Sequence, residues 1–100
     1  MKYKVVTLKS ATNDLIKISD YLQDYIDSEI AHNVLNNLQK RVANFLSISP
    51  NAGARYKLYR YFVFKKYVAV YFVNNDLKQV YVVMFASTNQ DWKHIISNRF

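Results

Sequence analysis

YRYFVFKKYVAVYFVNNDLKQVYVVMFAS, from Tyr59 to Ser87, is the stretch that decides the fold of this chain. It contains three runs of aromatic and β-branched residues, which favour strands. Residues 74–76 (Asn-Asn-Asp) are typical of a turn between the second and third runs, whereas the first boundary, at Lys65 and Lys66, contains no Gly or Asn. Three strands joined by short turns predict an antiparallel meander.

A short strand and a helix are predicted at the start of the chain. Residues 3–8 read YKVVTL and are rich in β-branched side chains, so we expect a strand that joins the sheet at an edge. Ser10 is a plausible N-cap, which predicts that the helix opens near Ala11. Apolar residues then recur at helical spacing, at Leu15, Ile18, Leu22, Tyr25 and Ile26. This helix is expected to bury one face and to expose the other.

A second amphipathic helix follows after a short break. Asp27 and Ser28 can cap its start, and Pro50 and Gly53 end it. Its apolar positions again recur at three and four, at Ile30, Ala31, Val34, Leu35, Leu38, Val42, Phe45 and Leu46. Because the connection is short, we expect an antiparallel helical hairpin packed on one face of the sheet. The predicted fold class is α+β, in the order β-α-α-β-β-β, with the other sheet face only partly covered.

Length and composition limit what the protein can be. One hundred residues, 51% of them apolar, are expected to form a single domain over 1–100 with one modest core. Cysteine is absent, which excludes disulfides and thiolate metal sites and agrees with a cytoplasmic location. No apolar run approaches the ~18 residues of a spanning helix, so no membrane segment is expected. The two histidines are far apart and the acids are scattered, so neither a metal site nor another cofactor is expected.

Positive charge is concentrated in the later part of the chain. The formal net charge is +7, and residues 31–100 contain only Asp76 and Asp91 as acids. Five cations fall within twelve residues without an intervening acid: Arg55, Lys57, Arg60, Lys65 and Lys66. Such a density attracts polyanions, either phosphates or an acidic polypeptide. The acids of the first 29 residues are interpreted as part of a solvated helix face.

Four segments resemble the RelE/ParE superfamily of toxins from bacterial toxin–antitoxin modules, and together they span nearly the whole chain. They are KYKVVTLKSATNDLIKISDYL (2–22), LSISPNAGAR (46–55), LYRYFVFKKYVAVYFV (58–73) and VYVVMFASTNQDW (80–92). Arg60, followed at a distance by Tyr67 and Tyr71, matches the strand arginine of the superfamily. The resemblance implies a type II toxin with a role in growth arrest and plasmid maintenance. It also implies a cognate antitoxin whose acidic or flexible segment wraps the toxin.

The resemblance leaves two targets open, the ribosome with its messenger RNA and DNA gyrase. A RelE-like endoribonuclease needs cations for the phosphorane and a group that transfers protons. Arg60 and Lys57 would supply the cations, and His94 or the RNA itself would transfer the proton. Nuclease members place a His or Tyr just after the last strand, where this chain reads STNQDW (87–92). That departure favours the ParE-like branch, which inhibits gyrase without chemistry of its own.

The candidate target-binding or nucleic-acid-binding residues are Arg55, Lys57, Arg60, Lys65, Lys66, Asn89, Asp91 and Trp92. Lys65 and Lys66 are equally explained as solvated lysines that discourage edge pairing. Trp92 is interpreted as a plug of the core or, alternatively, as an exposed anchor for a protein partner. A further alternative is a non-catalytic RNA-binding module that stacks bases on Tyr59 and Tyr61.

Overall fold

The computed structural model of the chain describes residues 2–99, which follow the order β-α-α-β-β-β-β-α. The elements are β1 (Lys4–Thr7), α1 (Lys9–Leu22), α2 (Ser28–Ile48), β2 (Ala54–Tyr56), β3 (Tyr59–Phe64), β4 (Tyr67–Asn74), β5 (Gln79–Ser87) and α3 (Trp92–Arg99). The α+β class, the helical hairpin and the meander β3-β4-β5 are confirmed. Two short elements, β2 and α3, are additions to the predicted order. Within residues 2–99, none of the helices combines the length and the apolar character that a membrane-spanning helix needs.

The strands form one sheet in the order β1-β5-β4-β3-β2. β1 lies at an edge, as predicted, and runs parallel to β5, whereas the other neighbours are antiparallel. The last strand contains a bulge, because Val70 pairs with Met84 and Tyr71 pairs with Val82, so that Val83 has no partner in the register. A bulge bends its strand and increases the local twist.

The helical hairpin packs on one face of the sheet and forms the main core. The buried members of this core are Ala11, Leu15, Leu35, Leu38, Val42, Leu46, Ala69, Tyr71, Val80, Val82 and Phe85. Most of the apolar helix positions identified in the sequence belong to this core or pack against it. The first helix is shorter than predicted, because α1 ends at Leu22 and leaves Tyr25 and Ile26 in the connection. Ile30 and Val34 lie in the first two turns of α2, and all four side chains are exposed.

The two helices of the hairpin begin in different ways. Asp27 caps α2 as predicted, since its Oδ1 accepts a hydrogen bond from the backbone N–H of Glu29 at 2.8 Å. The predicted cap of α1 is wrong, because the helix begins at Lys9 and Leu8 occupies the N-cap position. Ser10 instead donates its hydroxyl proton to the carbonyl of Val83 at 2.8 Å, which ties α1 to the bulge.

The opposite face of the sheet is partly covered by α3. Ile96 is buried there among Val68, Val70, Val83, Met84 and Ala86. At the end of α3, Arg99 forms a two-pronged ion pair with Asp14 of α1, with N–O distances of 2.7 and 2.9 Å. That hydrogen-bonded carboxylate raises the pKa of Arg99. Asp14 is buried, which corrects its interpretation as part of a solvated helix face.

Candidate functional site

The cations that cluster in the sequence fall on three separate surfaces. Arg55 and Arg60 are register partners in β2 and β3 and point to the helix side of the sheet. Lys57 follows β2 and reaches α3 on the other side. Lys65 and Lys66 form the β3–β4 turn, in which Lys65 has a positive φ of 55°. The charge-rich segment is therefore not one continuous site.

The first surface, which we call the arginine edge, lies beside the loop after α2. Its cavity of about 140 Å³ is lined by Asn51, Arg55, Leu58, Tyr59, Arg60, Val73 and Asn75. Arg60 is half-buried and donates from a terminal nitrogen to the carbonyl of Gly53 at 2.9 Å. Arg55 is exposed. The loop after α2 ends at Gly53, because Ala54 and Arg55 already belong to β2.

Tyr71 supports this loop from inside the core. It is fully buried, and its hydroxyl oxygen accepts a hydrogen bond from the backbone N–H of Gly53 at 2.9 Å. Burial raises the pKa of Tyr71, while the hydrogen bond from Gly53 and the charge of Arg60 oppose that rise. Gly53 therefore links the two residues, with its N–H on Tyr71 and its carbonyl on Arg60. Tyr67, the other tyrosine of the predicted pattern, is the first residue of β4, four positions before Tyr71.

The second surface, which we call the α3 platform, consists of Tyr56, Lys57, Tyr61, Trp92 and Lys93. The ring of Trp92 lies 5.6 Å from that of Tyr56 and 4.6 Å from that of Tyr61, measured between centroids. Lys93 Nζ lies 5.4 to 5.9 Å from all three rings, within the range of cation–π attraction. Trp92 is half-buried by these contacts and packs against the buried cluster around Ile96.

Asp91 directly precedes α3 and His94 lies in its first turn, so both are on the opposite side of the sheet from Arg60. Asp91 Oδ1 accepts a long hydrogen bond from the backbone N–H of His94 at 3.4 Å. The exposed ring of His94 lies 3.2 Å from the side-chain nitrogen of Asn98. Lys57 Nζ donates to the hydroxyl of Ser97 at 2.9 Å, on the same side as α3.

The residues predicted for RNA cleavage are therefore divided between the two faces of the sheet. Arg60 is on the helix side, whereas Lys57 and His94 are on the α3 side. This corrects the expectation that Arg60 and Lys57 hold one phosphate together. Arg60 points to the helix side because of the alternation along β3, whereas Lys57, in the turn before β3, points to the α3 side. Within residues 2–99, no group of three or more acidic or histidine side chains is placed to hold a metal ion.

The third surface is a groove of about 520 Å³ between α1, the β3–β4 turn and the segment after β5, which we call the tip groove. It is lined by Lys17, Ile18, Tyr21, Leu22, Lys66, Tyr67, Ser87, Asn89 and Gln90. The lining thus combines apolar side chains with two lysines and contains no acid. The segment after β5 is fixed there, since Thr88 N–H donates to the carbonyl of Lys66 at 2.8 Å. Lys65 borders a separate, smaller cavity with Val34 and Arg41.

Several residues of these surfaces were not among the predicted ones, and Lys17, Asn75 and Lys93 are three of them. Lys17 lies four residues before Tyr21 and so shares its side of α1, a spacing that is visible in the sequence. Asn75 was assigned only to a turn, and its place beside Arg60 depends on the sheet register. Lys93 directly follows Trp92, but its side of the molecule depends on the unpredicted helix α3.

The chain matches a protein-family model over most of its length. Residues 5–92 match the family described as ParE toxin of type II toxin–antitoxin system, parDE. A search of curated proteins found no match. The family match includes α1, α2 and all of the sheet except Lys4, and it ends at the first residue of α3.

Solved structures of three toxin–antitoxin proteins are similar to this chain. A chain of the chromosomal ParDE system from P. aeruginosa has a TM-score of 0.73 at 15% identity, covering 86% of this chain and 96% of that one. A chain of the RelBE2 complex from Mycobacterium tuberculosis has a TM-score of 0.67 at 16% identity, with coverages of 90% and 95%. A mutant of E. coli toxin RelE in the free state has a TM-score of 0.64 at 14% identity, with both chains covered completely. At such identities the similarity shows the fold alone.

Proposed function

Since the chain belongs to the ParE toxin family of type II toxin–antitoxin systems, we propose that it arrests growth by binding and inhibiting DNA gyrase in the cytoplasm. The family match over residues 5–92 carries this proposal. The separation of Arg60 from Lys57 and His94 also supports it, because RNA cleavage needs charge stabilisation and proton transfer at one phosphate. An inhibitor that acts by binding needs no such assembly.

The α3 platform and the segment before it are the surface that we assign to the gyrase contact. Lys57 and Lys93 are exposed cations held beside aromatic rings, so their positions are restricted before binding. Restricting a side chain in advance lowers the entropy lost on association. Asn89 and Asp91 lie in the exposed segment between β5 and α3. This surface can therefore bind a partner that offers carboxylates or phosphates.

The protein is expected to inhibit DNA supercoiling by purified gyrase. The double variant Lys57→Glu/Lys93→Glu should need roughly tenfold more protein for half-inhibition, because it replaces attraction by repulsion at the contact. Lys40→Glu, which reverses an exposed charge on α2 outside the three surfaces, is the control and should inhibit as the natural chain does. Unchanged supercoiling in the presence of excess natural protein would reject the proposal.

Induction of the chain in cells, without an antitoxin, distinguishes gyrase from the ribosome as the target. Gyrase inhibition should stop DNA synthesis before protein synthesis. Codon-linked cuts in primer extension would instead support a ribosome-dependent endoribonuclease. Tight RNA binding without growth arrest would contradict both functions and favour a plain RNA-binding module.

The cognate antitoxin is the second proposed partner, and we assign its docking to the tip groove. Lys17 and Lys66 line this groove without an accompanying acid. Tyr21, which also lines the groove, and the neighbouring Tyr25 are 62% and 71% exposed, with ring centroids 5.3 Å apart. A flexible acidic segment that also carries apolar side chains is complementary to this surface. The net charge of +7 favours the same kind of partner.

Charge reversal in the tip groove is expected to weaken antitoxin binding. Lys17→Glu/Lys66→Glu should raise the dissociation constant roughly tenfold or more at low salt, with a smaller effect at high salt because screening weakens the repulsion. Titration calorimetry with the purified antitoxin measures this change, and Lys40→Glu is again the matched control. Equal affinity of the double variant and the control would show that the antitoxin docks elsewhere.

A further inference from the structure

The arginine edge carries two positive charges that no carboxylate of the described chain neutralises. Arg55 and Arg60 stand directly opposite each other on β2 and β3, where like charges repel. Within residues 2–99, one pair of oppositely charged side chains has an N–O distance below 4.0 Å, and it is the pair of Arg99 and Asp14. Asp76, which follows the lining residue Asn75, pairs with neither arginine. Two positive charges without a carboxylate partner therefore lie side by side next to the cavity.

Hydrogen bonds orient the donors around this cavity. The bond from Arg60 to the carbonyl of Gly53 holds the guanidinium and leaves its other N–H groups for a ligand. Asn75 Oδ1 accepts from the hydroxyl of Tyr3 at 2.9 Å and from the amide of Asn51 at 3.5 Å. Because its oxygen is occupied, Asn75 has mainly its N–H groups to offer. Cations and N–H donors together favour an anion with several oxygen atoms.

We propose that the arginine edge binds a phosphomonoester dianion. Two guanidinium groups match the charge of about −1.5 to −2 that such a phosphate carries at neutral pH, whereas a carboxylate or a phosphodiester would leave one cation uncompensated. A single guanidinium group can donate two parallel N–H hydrogen bonds to a phosphate group. The cavity of about 140 Å³ is smaller than the roughly 300–1,000 Å³ of sites for whole small molecules. The cavity therefore holds a single phosphate group, with the rest of the ligand outside.

This site does not depend on gyrase as the target. It lies on the helix side of the sheet, apart from the α3 platform, and its cavity shares no lining residue with the tip groove. A failed phosphate experiment would leave the supercoiling experiment unaffected. Conversely, a protein that does not inhibit gyrase can still bind phosphate here.

Titration with inorganic phosphate at constant ionic strength tests the site. The amide signals of Asn51, Gly53 and Asn75 should shift saturably in NMR spectra, and phosphate should raise the melting temperature. In Arg55→Gln the affinity should fall on the order of tenfold, because one fork of donors is lost. Arg55 is exposed, so this variant is expected to melt no lower than the natural chain in chloride buffer. Lys40→Gln removes the same net charge elsewhere and should bind phosphate normally.

Two short oligonucleotides, one with and one without a 5′-phosphate, identify the source of the phosphate. The phosphorylated one should bind at least about tenfold more tightly, and this advantage should shrink as the pH falls below about 6, where the phosphate takes up its second proton and keeps a single negative charge. If the 5′-phosphorylated oligonucleotide also binds more tightly than inorganic phosphate, the natural ligand is the phosphorylated end of a nucleic acid. If the two bind with equal affinity, the natural ligand is free phosphate. Equal binding of the two oligonucleotides would overturn the proposal. An equal loss of phosphate affinity in Arg55→Gln and Lys40→Gln would also overturn it.

Discussion

The Asp14→Ala variant is expected to unfold with a free energy about 3 kcal/mol lower than that of the natural chain. The Asp14 carboxylate accepts hydrogen bonds from two nitrogens of Arg99 and from the backbone N–H of Phe85, the latter at 3.1 Å. Its removal leaves the guanidinium and a buried N–H without this acceptor. Breaking a buried ion pair costs about 3–5 kcal/mol, and the lower end applies because the Arg99 side chain is 23% exposed. Urea unfolding followed by Trp92 fluorescence measures the loss.

Three further variants separate the ion pair from a general effect of substitution in α1. Asp14→Asn keeps the shape and one acceptor oxygen and should therefore cost less than Asp14→Ala. Asp20→Ala removes an exposed acid of the same helix and should change stability by less than about 0.5 kcal/mol. Arg99→Ala should cost much less in the Asp14→Ala background, with a coupling energy of about 1 kcal/mol or more. Additive costs would show that the two side chains do not stabilise α3 together.

Asp14 also shows what sequence patterns reveal about this fold. Ala11, Asp14 and Ile18 are spaced by three and four, so the acid lies on the apolar face of α1. An acid there indicates a buried partner, but the partner is 85 residues away in α3. α3 itself has a recognisable signal, since Asp91 can cap a helix in which Trp92, Ile95, Ile96 and Arg99 recur at helical spacing. Its eight residues are too few for that pattern to stand out.

The candidate surfaces follow from the sequence only in part. Alternation along β3 correctly separates Arg60 from Tyr59 and Tyr61. It does not reveal that Arg55 is the partner of Arg60, because β2 has only three residues and follows a loop with Pro and Gly. Lys57 reaches α3 from a turn position with a φ of 56°, a conformation that lysine rarely adopts and that its residue type does not predict.

Gly53→Ala is the second substitution with a large expected effect, a loss of about 3 kcal/mol of unfolding free energy. A Cβ at this position would lie 2.3 Å from the hydroxyl oxygen of Tyr71 and 2.7 Å from the carbonyl oxygen of Tyr61. The Tyr71 ring is fixed in the core and the other atom is backbone, so neither can move away easily. The loop must shift instead, which also displaces the carbonyl that holds Arg60. We therefore expect weaker phosphate binding together with the lower stability.

Removing the hydroxyl of Tyr71 tests whether this contact causes the loss. Tyr71→Phe alone should cost about 1–3 kcal/mol, because the buried N–H of Gly53 loses its acceptor. In that background Gly53→Ala should cost at least about 1 kcal/mol less than in the natural chain, since the nearest clashing atom is absent. Ala52→Ser adds an atom at the exposed neighbouring position and should be nearly neutral. If Gly53→Ala costs the same with and without the hydroxyl, the clash with Tyr71 is not what makes glycine necessary, and the close approach to the Tyr61 carbonyl is the remaining cause.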